Sequence, residues 1–489
     1  MKLKKLISLF LASMVFLGMV GCAKDDGQTV NVKDLYVPTY EDTYEMMLRS
    51  DLSPDVCNKE QLLLYKECGF NTIPLLPEWV GMAPNDVAPY VEEYEKYEQA
   101  LEDWDGNEET KPVEPTKPNF IKGLELCEEV GLDVFIRYHC VTYVSKDPTD
   151  EPNYFEKFLY NLDLRKYPAV KGFMIADEPT YGQVNDIVDR YLPWFNENYG
   201  GEGYEFFVNL NGAESTAWRD KYSSGLFHED LVKHYYEDVL DKADSINKTL
   251  SFDTYVLHSD GTNNYVHDSF LHSALAMRKH ANKYDTGLGA YIQCFTGYST
   301  LRDLTSYADF SFQVYTYLSF GANRLSYYGY RDYGTEKHLV EGGEPRDKWY
   351  WAQHSMEVCK KLDGILANFD WNGIYTNVGS KSFFSENEAF ERIEKDSLKK
   401  LNGVKSFKSN YDAIVGQFED ANGNDAFMLV NYEEPSIKHN NKVTMTFDKA
   451  DGVMYYRDGD PYVVGLKNKT FTVDLEPGEG VFIIPLYKK

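Results

Sequence analysis

Lys171-Gly-Phe-Met-Ile-Ala-Asp-Glu-Pro-Thr180 is the stretch whose reading decides the fold of this chain. Phe173, Met174, Ile175 and Ala176 form an unbroken apolar run, the pattern of a parallel strand covered on both faces, where a half-solvated strand would alternate. Asp177 and Glu178 then stand where the strand ends. Taken alone they read equally well as a solvated strand end or as a helix start with Asp177 as N-cap. The pattern on either side gives them chemical meaning.

Outward from this strand, short β-like runs alternate with helical periodicity. Strands are expected at Thr43 to Leu48, Asn71 to Leu76, Asp133 to Tyr138, Gly172 to Ala176, Glu205 to Leu210, Thr249 to Leu257, Gly289 to Phe295 and Arg324 to Tyr330. Helices are expected at Asn58 to Cys68, Phe120 to Val130, Tyr154 to Asn161, Gln183 to Asn198, Glu229 to Ala243, Tyr265 to Lys283, Leu301 to Gly321 and Trp349 to Leu362. Gly69 and Gly131 supply C-terminal caps. Such alternation predicts an α/β fold, a (β/α)8 TIM barrel spanning 37–370. A doubly wound sheet would also alternate, but no GxGxxG or GxxxxGK[ST] turn follows any strand.

The segment 85–118 interrupts the barrel with an acidic, tyrosine-rich helix (Tyr90 to Trp104) and a proline-spaced linker. Inserts of this kind sit on barrel loops, as a cleft wall or as solvated decoration. After a connecting segment, 371–410, with no evident pattern, the period changes to two. Short alternating runs separated by Asn-Gly-Asn, Asp-Gly-Asp and Pro-Gly-Glu-Gly turns predict a small C-terminal all-β sandwich over 411–489, with a packing role.

The first 21 residues carry Lys2, Lys4 and Lys5 ahead of an apolar run from Leu6 to Val20, too short for a membrane span and suited to a signal peptide. Met19-Val20-Gly21-Cys22 resembles the lipobox of bacterial lipoproteins, which implies cleavage before Cys22, lipidation of that residue, and export with lipid anchoring at the bacterial membrane or cell surface. Residues 22–36 are polar and read as a tether. The other cysteines, Cys57, Cys68, Cys127, Cys140, Cys294 and Cys359, show no CxxC and no zinc spacing, and are expected as buried thiols; spacing leaves open a pairing of Cys57 with Cys68. No metal and no cofactor are implied. The formal charge of −28 repels nucleic acid and anionic polysaccharide and favours a neutral partner.

Residues after the strands gather carboxylates, amides and aromatics on one face: Glu78 and Trp79, Arg137, Tyr138 and His139, Asp177 and Glu178, Asn209 and Asn211, Asp253 and Tyr255, Gln293, then Tyr327, Tyr328, Tyr330 and Arg331. Flat aromatics stack on sugar rings while amides and carboxylates bond the hydroxyls, so this set suits a carbohydrate. Substrate contacts are expected from Asp177, Glu78, Trp79, Arg137, His139, Asn209, Tyr255, Gln293, Tyr328 and Tyr330.

Gly172-Phe-Met-Ile-Ala-Asp-Glu-Pro179, Tyr291-Ile-Gln-Cys-Phe295, Gly321-Ala-Asn-Arg-Leu-Ser-Tyr-Tyr-Gly-Tyr330 and Leu475-Glu-Pro-Gly-Glu-Gly-Val-Phe482 together resemble clan A glycoside hydrolases, in particular family 42-like and related uncharacterised barrels. The resemblance implies that Glu178 is the acid/base carboxyl at the end of strand four. It also implies a nucleophilic Glu at the end of strand seven, where this chain has Gln293. A glycosidase needs a second carboxylate. Asp253, on the same face of strand six as Tyr255 by period two, is the first candidate, ahead of Asp177, Glu78, Asp332 and Glu336. A proton donor at Glu178 would need partial burial beside Asp177 to raise its pKa. The reading that follows is a surface-anchored glycoside hydrolase acting on a neutral oligo- or polysaccharide. Its rivals are a non-catalytic glycan-binding lipoprotein on a degenerate barrel, and a lyase or isomerase using His139 and a tyrosine.

Overall fold

The computed structural model describes residues 29–40, 46–50, 57–75, 87–137, 163–213, 228–297, 300–382 and 387–489. Eight parallel strands close into a barrel. They are β1 (Met47–Ser50), β2 (Thr72–Leu75), β3 (Asp133–Arg137), β4 (Val170–Asp177), β5 (Glu205–Asn211), β6 (Thr249–Asp253) and, after a hairpin of β7 (Leu257–Ser259) and β8 (Asn264–Val266), β9 (Gly287–Gln293) and β10 (Arg324–Tyr328). The ring closes where β1 pairs with β10, Met47 opposite Arg324 through Ser50 opposite Tyr327. Around it lie α1 (Lys59–Glu67), α2 (Val87–Glu102), α3 (Asn119–Val130), α4 (181–198), α5 (228–240), α6 (Ser269–Tyr284), α7 (Tyr307–Ser319) and α8 (Asp347–Leu366), where α4 and α5 each include a π turn.

Local chemistry sets the ends of these elements. Asn58 accepts the Gln61 N–H at 2.9 Å to start α1, and Gly131, at φ +71°, closes α3 in the left-handed region that glycine takes up readily. Ser306 and Asp309 form a capping box on α7. Two expectations shift here. Strand six stops at Asp253, so Tyr255 lies beyond it, and α6 begins at Ser269 because Tyr265 belongs to the β7–β8 hairpin.

Inside the barrel, alternate residues stack in layers. At the base Arg324 reaches across to Glu205, with Nη2 2.8 Å from Oε2, both side chains buried. Above them Phe135, Met174 and Phe207 pack together with Met47. Outward-facing residues join the large core under the helices. The helix expected at Tyr154 to Asn161 lies outside the described residues.

Past a two-stranded ribbon, β11 (Val340–Glu341) and β12 (Glu344–Pro345), the chain leaves α8 for a β-sandwich. Its strands are β13 (Phe369–Asn377), then, after the short helix α9 (Glu388–Ile393), β14 (Val404–Ser409), β15 (Ala413–Asp420), β16 (Asp425–Asn431), β17 (Asn441–Phe447), β18 (Gly452–Arg457), β19 (Asp460–Gly465), β20 (Thr470–Leu475) and β21 (Gly480–Leu486). The sheet β13-β15-β16-β21-β18-β19 faces β14-β17-β20 across a core that includes Phe427, Leu429, Met445 and Phe471. The segment 371–410 therefore supplies two strands, pairing β13 with β15 and β14 with β17.

The sandwich docks on α7, whose residues from Asp309 to Ser319 are all buried. Trp371 Nε1 donates to the Ser319 carbonyl at 2.9 Å, and Gly416 lies so close that a Cβ there would sit 2.0 Å from that carbonyl oxygen. Arg302 clamps the junction, with Nη2 2.5 Å from both Asp309 and Glu434 and all three side chains buried. Cys57, Cys68, Cys127, Cys294 and Cys359 are free thiols, so Cys57 and Cys68 do not pair.

Candidate active site

The end of β4 is held by a polar network. Arg137 on β3 donates to Asp177 Oδ2 at 2.8 Å, Asn209 on β5 donates to Asp177 Oδ1 at 3.0 Å, and Ser251 on β6 donates to Asn209 Oδ1 at 3.0 Å. Four adjacent strands are thereby tied at one level. Arg137 is buried while Asp177 is partly open, so the ion pair gives the guanidinium a charged partner at the lip of the barrel.

Glu178 continues the ladder, its N–H donating to the Asn209 carbonyl at 2.9 Å. Its φ is +49°. A residue with a Cβ adopts this region rarely, and one preceding a proline is drawn toward extended backbone, so the conformation is held by its surroundings. Glu178 thereby leaves the extended backbone of β4, which ends at Asp177. Contrary to the expectation of partial burial, the side chain is exposed.

Asp253, buried at the end of β6, sits opposite Asn211 in the ladder. Period two places it on the face of Ser251, whose hydroxyl meets Asn209 inside the barrel, so Asp253 belongs to the inward set one level higher. Beneath this layer lies Arg49 of β1, 1% exposed. Its Nε donates to Ser326 at 2.8 Å, Nη2 to Tyr291 at 2.7 Å, and its guanidinium lies 4.2 Å from the centre of the Phe207 ring. The mouth thus has a cationic floor under its carboxylates. Sequence reasoning missed Arg49 because the strand was expected to end at Leu48, one residue before it.

The opposite wall is aromatic. Tyr255, Phe295 and Tyr328 contact one another, with ring centres 4.9 to 5.8 Å apart, and His338 stacks on Phe295 at 5.4 Å. The peptide joining Tyr328 to Gly329 is cis. The Gly329 N–H donates to His338 Nδ1 at 2.7 Å, which places the ring proton on Nε2, 3.1 Å from Glu336 Oε2. Burial, with Lys348 adding to it, pulls the His338 pKa down to about 3, so the ring is neutral. Burial also raises the Glu336 carboxyl. Asp332 is different. Burial alone would raise it, but Arg346, the His338 N–H and Lys337 together bring it to about 2, and its oxygens are engaged in holding that loop.

Two expected substrate contacts are corrected. Gln293 is fully buried. Its Oε1 accepts the N–H groups of Val256 and Leu257 at 3.1 and 3.0 Å, and Nε2 donates to the carbonyls of Leu257 and Arg302 at 3.3 and 3.5 Å. Its amide pins the loops after β6 and β9 and meets no open space. Tyr330 is also buried, packed on Tyr65 and Phe70 under α1. Strand eight ends at Tyr328, so the alternation that would have paired Tyr330 with it does not extend that far. Tyr328, Tyr255 and Asp177 are partly open at the carboxyl ends of their strands, while Arg137 and Asn209 are buried and hold Asp177. Glu78, Trp79, His139 and Cys22 lie outside the described residues. Among the described residues no group of three or more His, Cys, Asp or Glu is placed to hold a metal ion.

A closed parallel barrel with carboxylates, an amide–guanidinium network and an aromatic wall at the carboxyl ends of its strands is the class that fold and site define. No family model matches the chain, family 42 included, and no curated protein sequence matches it. Structures similar to it include a glucosidase from Croceicoccus marinus, at 10% identity over 88% of this chain and 92% of that one, with a TM-score of 0.41. A maltogenic α-amylase from Thermotoga neapolitana is 12% identical over 88% and 93%, TM-score 0.40. A family 27 β-L-arabinopyranosidase from Geobacillus stearothermophilus is 10% identical over 74% and 76%, TM-score 0.38. Likeness at this level carries neither substrate nor mechanism to the present chain.

Proposed function

We propose that this protein is a glycoside hydrolase acting on a neutral oligo- or polysaccharide, with Glu178 as general acid/base and Asp253 as the second carboxylate. The observation that carries the reading is the backbone of Glu178, held at φ +49° at the end of β4. A conformation that unfavourable is kept where a side chain must be aimed, and here it aims a carboxyl from beside a fixed Asp177–Arg137 pair. Tyr255 and Tyr328, both half-buried, offer faces for sugar rings, and Asp177, held by the buried Arg137 and Asn209, offers an acceptor for hydroxyls. In this mechanism Glu178, exposed in the free protein, is covered by the bound sugar and then protonates the departing glycosidic oxygen. Asp253 either attacks the anomeric carbon or deprotonates the attacking water, according to the separation of the two carboxyls.

The test is release of new reducing ends from plant, host and microbial glycans by the native protein and by Glu178→Gln. Loss of the proton donor lowers kcat by about 10²- to 10⁴-fold with the melting temperature unchanged. Equal product from both proteins removes Glu178 from the mechanism. The absence of a carboxylate at the strand-seven position favours the second reading, a glycan binder without hydrolysis, and binding with no product from any glycan would establish it. We propose further that the mature chain is lipid-anchored through Cys22, on the lipobox-like Met19-Val20-Gly21-Cys22. Mass spectrometry of the N-terminal peptide would show a diacylglyceryl cysteine, and an unmodified Cys22 would refute it.

A further inference from the structure

The insertion helix α2 presents Tyr90, Tyr94 and Tyr97 on one face, at i, i+4 and i+7, with neighbouring ring centres 5.6 and 5.7 Å apart. Together with Tyr167 and Tyr199, the first two of these line a groove of about 540 Å³. Tyr167 lies just before β4, and Tyr199 just after α4, before β5. The groove is therefore at the base of the barrel. The mouth lies at the far end of β4, whose 8 residues span about 26 Å at ~3.3 Å each. The two places are separate.

The charges around the groove restrict its occupant. Lys117 is paired with Glu125 at 2.7 Å. Arg165 is paired with Glu202 at 2.5 Å and Asp163 at 3.2 Å, and its guanidinium covers the Tyr199 ring at 5.0 Å. Lys117 and Arg165 are thus neutralised, and Lys166, the third cation of the lining, is outnumbered by Glu95 and Glu98, so an anionic ligand would find no net attraction. Glu95 and Glu98 stand exposed on the rim of the groove as hydrogen-bond acceptors. The half-buried rings of Tyr94 and Tyr167, with Tyr90 and Tyr199 themselves buried, stand beside these acceptors and suit a neutral polyhydroxylated ligand, with C–H faces on the rings and hydroxyls on the carboxylates. A helical wall offers no strand edge for an extended peptide.

The geometry points to a second, non-catalytic glycan-binding groove on the flank of the barrel, built by the 85–118 insertion and binding a neutral polysaccharide chain. It shares with the proposed function only the class of ligand, and it is tested without turnover. Electrophoresis of the native protein through gels containing galactomannan, xyloglucan, laminarin or soluble starch reads binding directly, and reducing-end release reads the mouth separately. At least one of these polymers retards the native protein. Tyr94→Ala and Glu98→Gln each weaken that retardation about tenfold or more, with unchanged melting curves and unchanged cleavage of any short substrate the mouth accepts. Glu178→Gln leaves the retardation as it is. Retardation that persists in Tyr94→Ala with Tyr167→Ala, that disappears instead in Asp253→Asn, that occurs only with anionic polygalacturonate, or that no polymer produces, overturns the assignment.

Discussion

Replacing Gln293 by Glu tests whether the seventh strand carries a disabled catalytic position or a structural one. The fully buried amide accepts two backbone N–H groups through one oxygen and donates to two carbonyls through its nitrogen. Glu keeps the accepting oxygen but turns its second oxygen toward the carbonyls of Leu257 and Arg302. Ionised, that oxygen faces two partial negative charges; protonated, its O–H replaces one of the lost donors. Burial can raise a carboxyl by up to roughly 3 to 5 units, and the two N–H groups offset part of that, so a rise from about 4.3 to about 6.5 is a fair measure. The folded state then holds a proton that the unfolded chain has lost, so stability declines as pH climbs from about 4.3 to about 6.5, by about 3 kcal/mol in total. Urea unfolding of the variant at pH 5 and pH 7.5 should differ by about 2 kcal/mol more than the native protein does over the same interval. No new sugar cleavage should appear. A variant as stable as native at pH 7.5 that gains reducing-end release would refute the structural role of Gln293 and mark it as a lost nucleophile.

Three further outcomes follow from buried groups and close contacts. Arg302→Met strands Asp309 and Glu434 at the barrel–sandwich junction and should lower stability by about 3 to 5 kcal/mol in urea, whereas a loss under about 1 kcal/mol would mean the clamp is dispensable. His338 has a folded pKa of about 3, below its unfolded value, so it contributes stability above about pH 6.5 that is lost as pH falls toward 3. His338→Gln should flatten the acid limb of the urea midpoint between pH 6.5 and 4, and an unchanged limb would show that this ring does not titrate on unfolding. Gly416→Val drives a side chain into the Ser319 carbonyl, with Cβ at 2.0 Å, and should destabilise by about 3 kcal/mol or more. Calorimetry showing a native melting temperature would mean that α7 and the sandwich can part without loss.

Most of the barrel was legible because its strands are buried on both faces and read as short apolar runs, β4 above all, and because helix ends carry their own chemistry at Asn58, Gly69 and Gly131. What escaped was set by contacts distant in sequence. Strand β13 has no alternating pattern because its burial comes partly from β15 beside it and partly from the barrel core, and so 369–377 did not read as a strand. At the mouth, residue type and position after a strand located Asp177, Arg137, Asn209 and Asp253. The same rule misplaced Gln293 and Tyr330, because the last residues of a strand are claimed by whichever loop folds over them. Gln293 is claimed by Val256 and Leu257, and Tyr330 by α1.

The loop over Gln293 bears on where a second carboxylate can stand. Neighbouring strands lie about 4.8 Å apart, so β4 and β6, two steps apart, have backbones about 10 Å apart along the sheet and less across the curved barrel. The step from β4 to β9 is one strand longer, about 14 Å along the same path. Acting carboxyl pairs in glycosidases are separated by about 5 to 9.5 Å. Side chains converging across the closed barrel meet that range from either strand, and of the two only β6 ends in a carboxylate, Asp253, where β9 ends in Gln293. The amide of Gln293 meanwhile fixes the chain immediately after Asp253, at Val256 and Leu257, and sets Tyr255 against Phe295 and Tyr328. On this reading the seventh strand ends in a brace, and the brace steadies the strand on which the proposed partner of Glu178 stands.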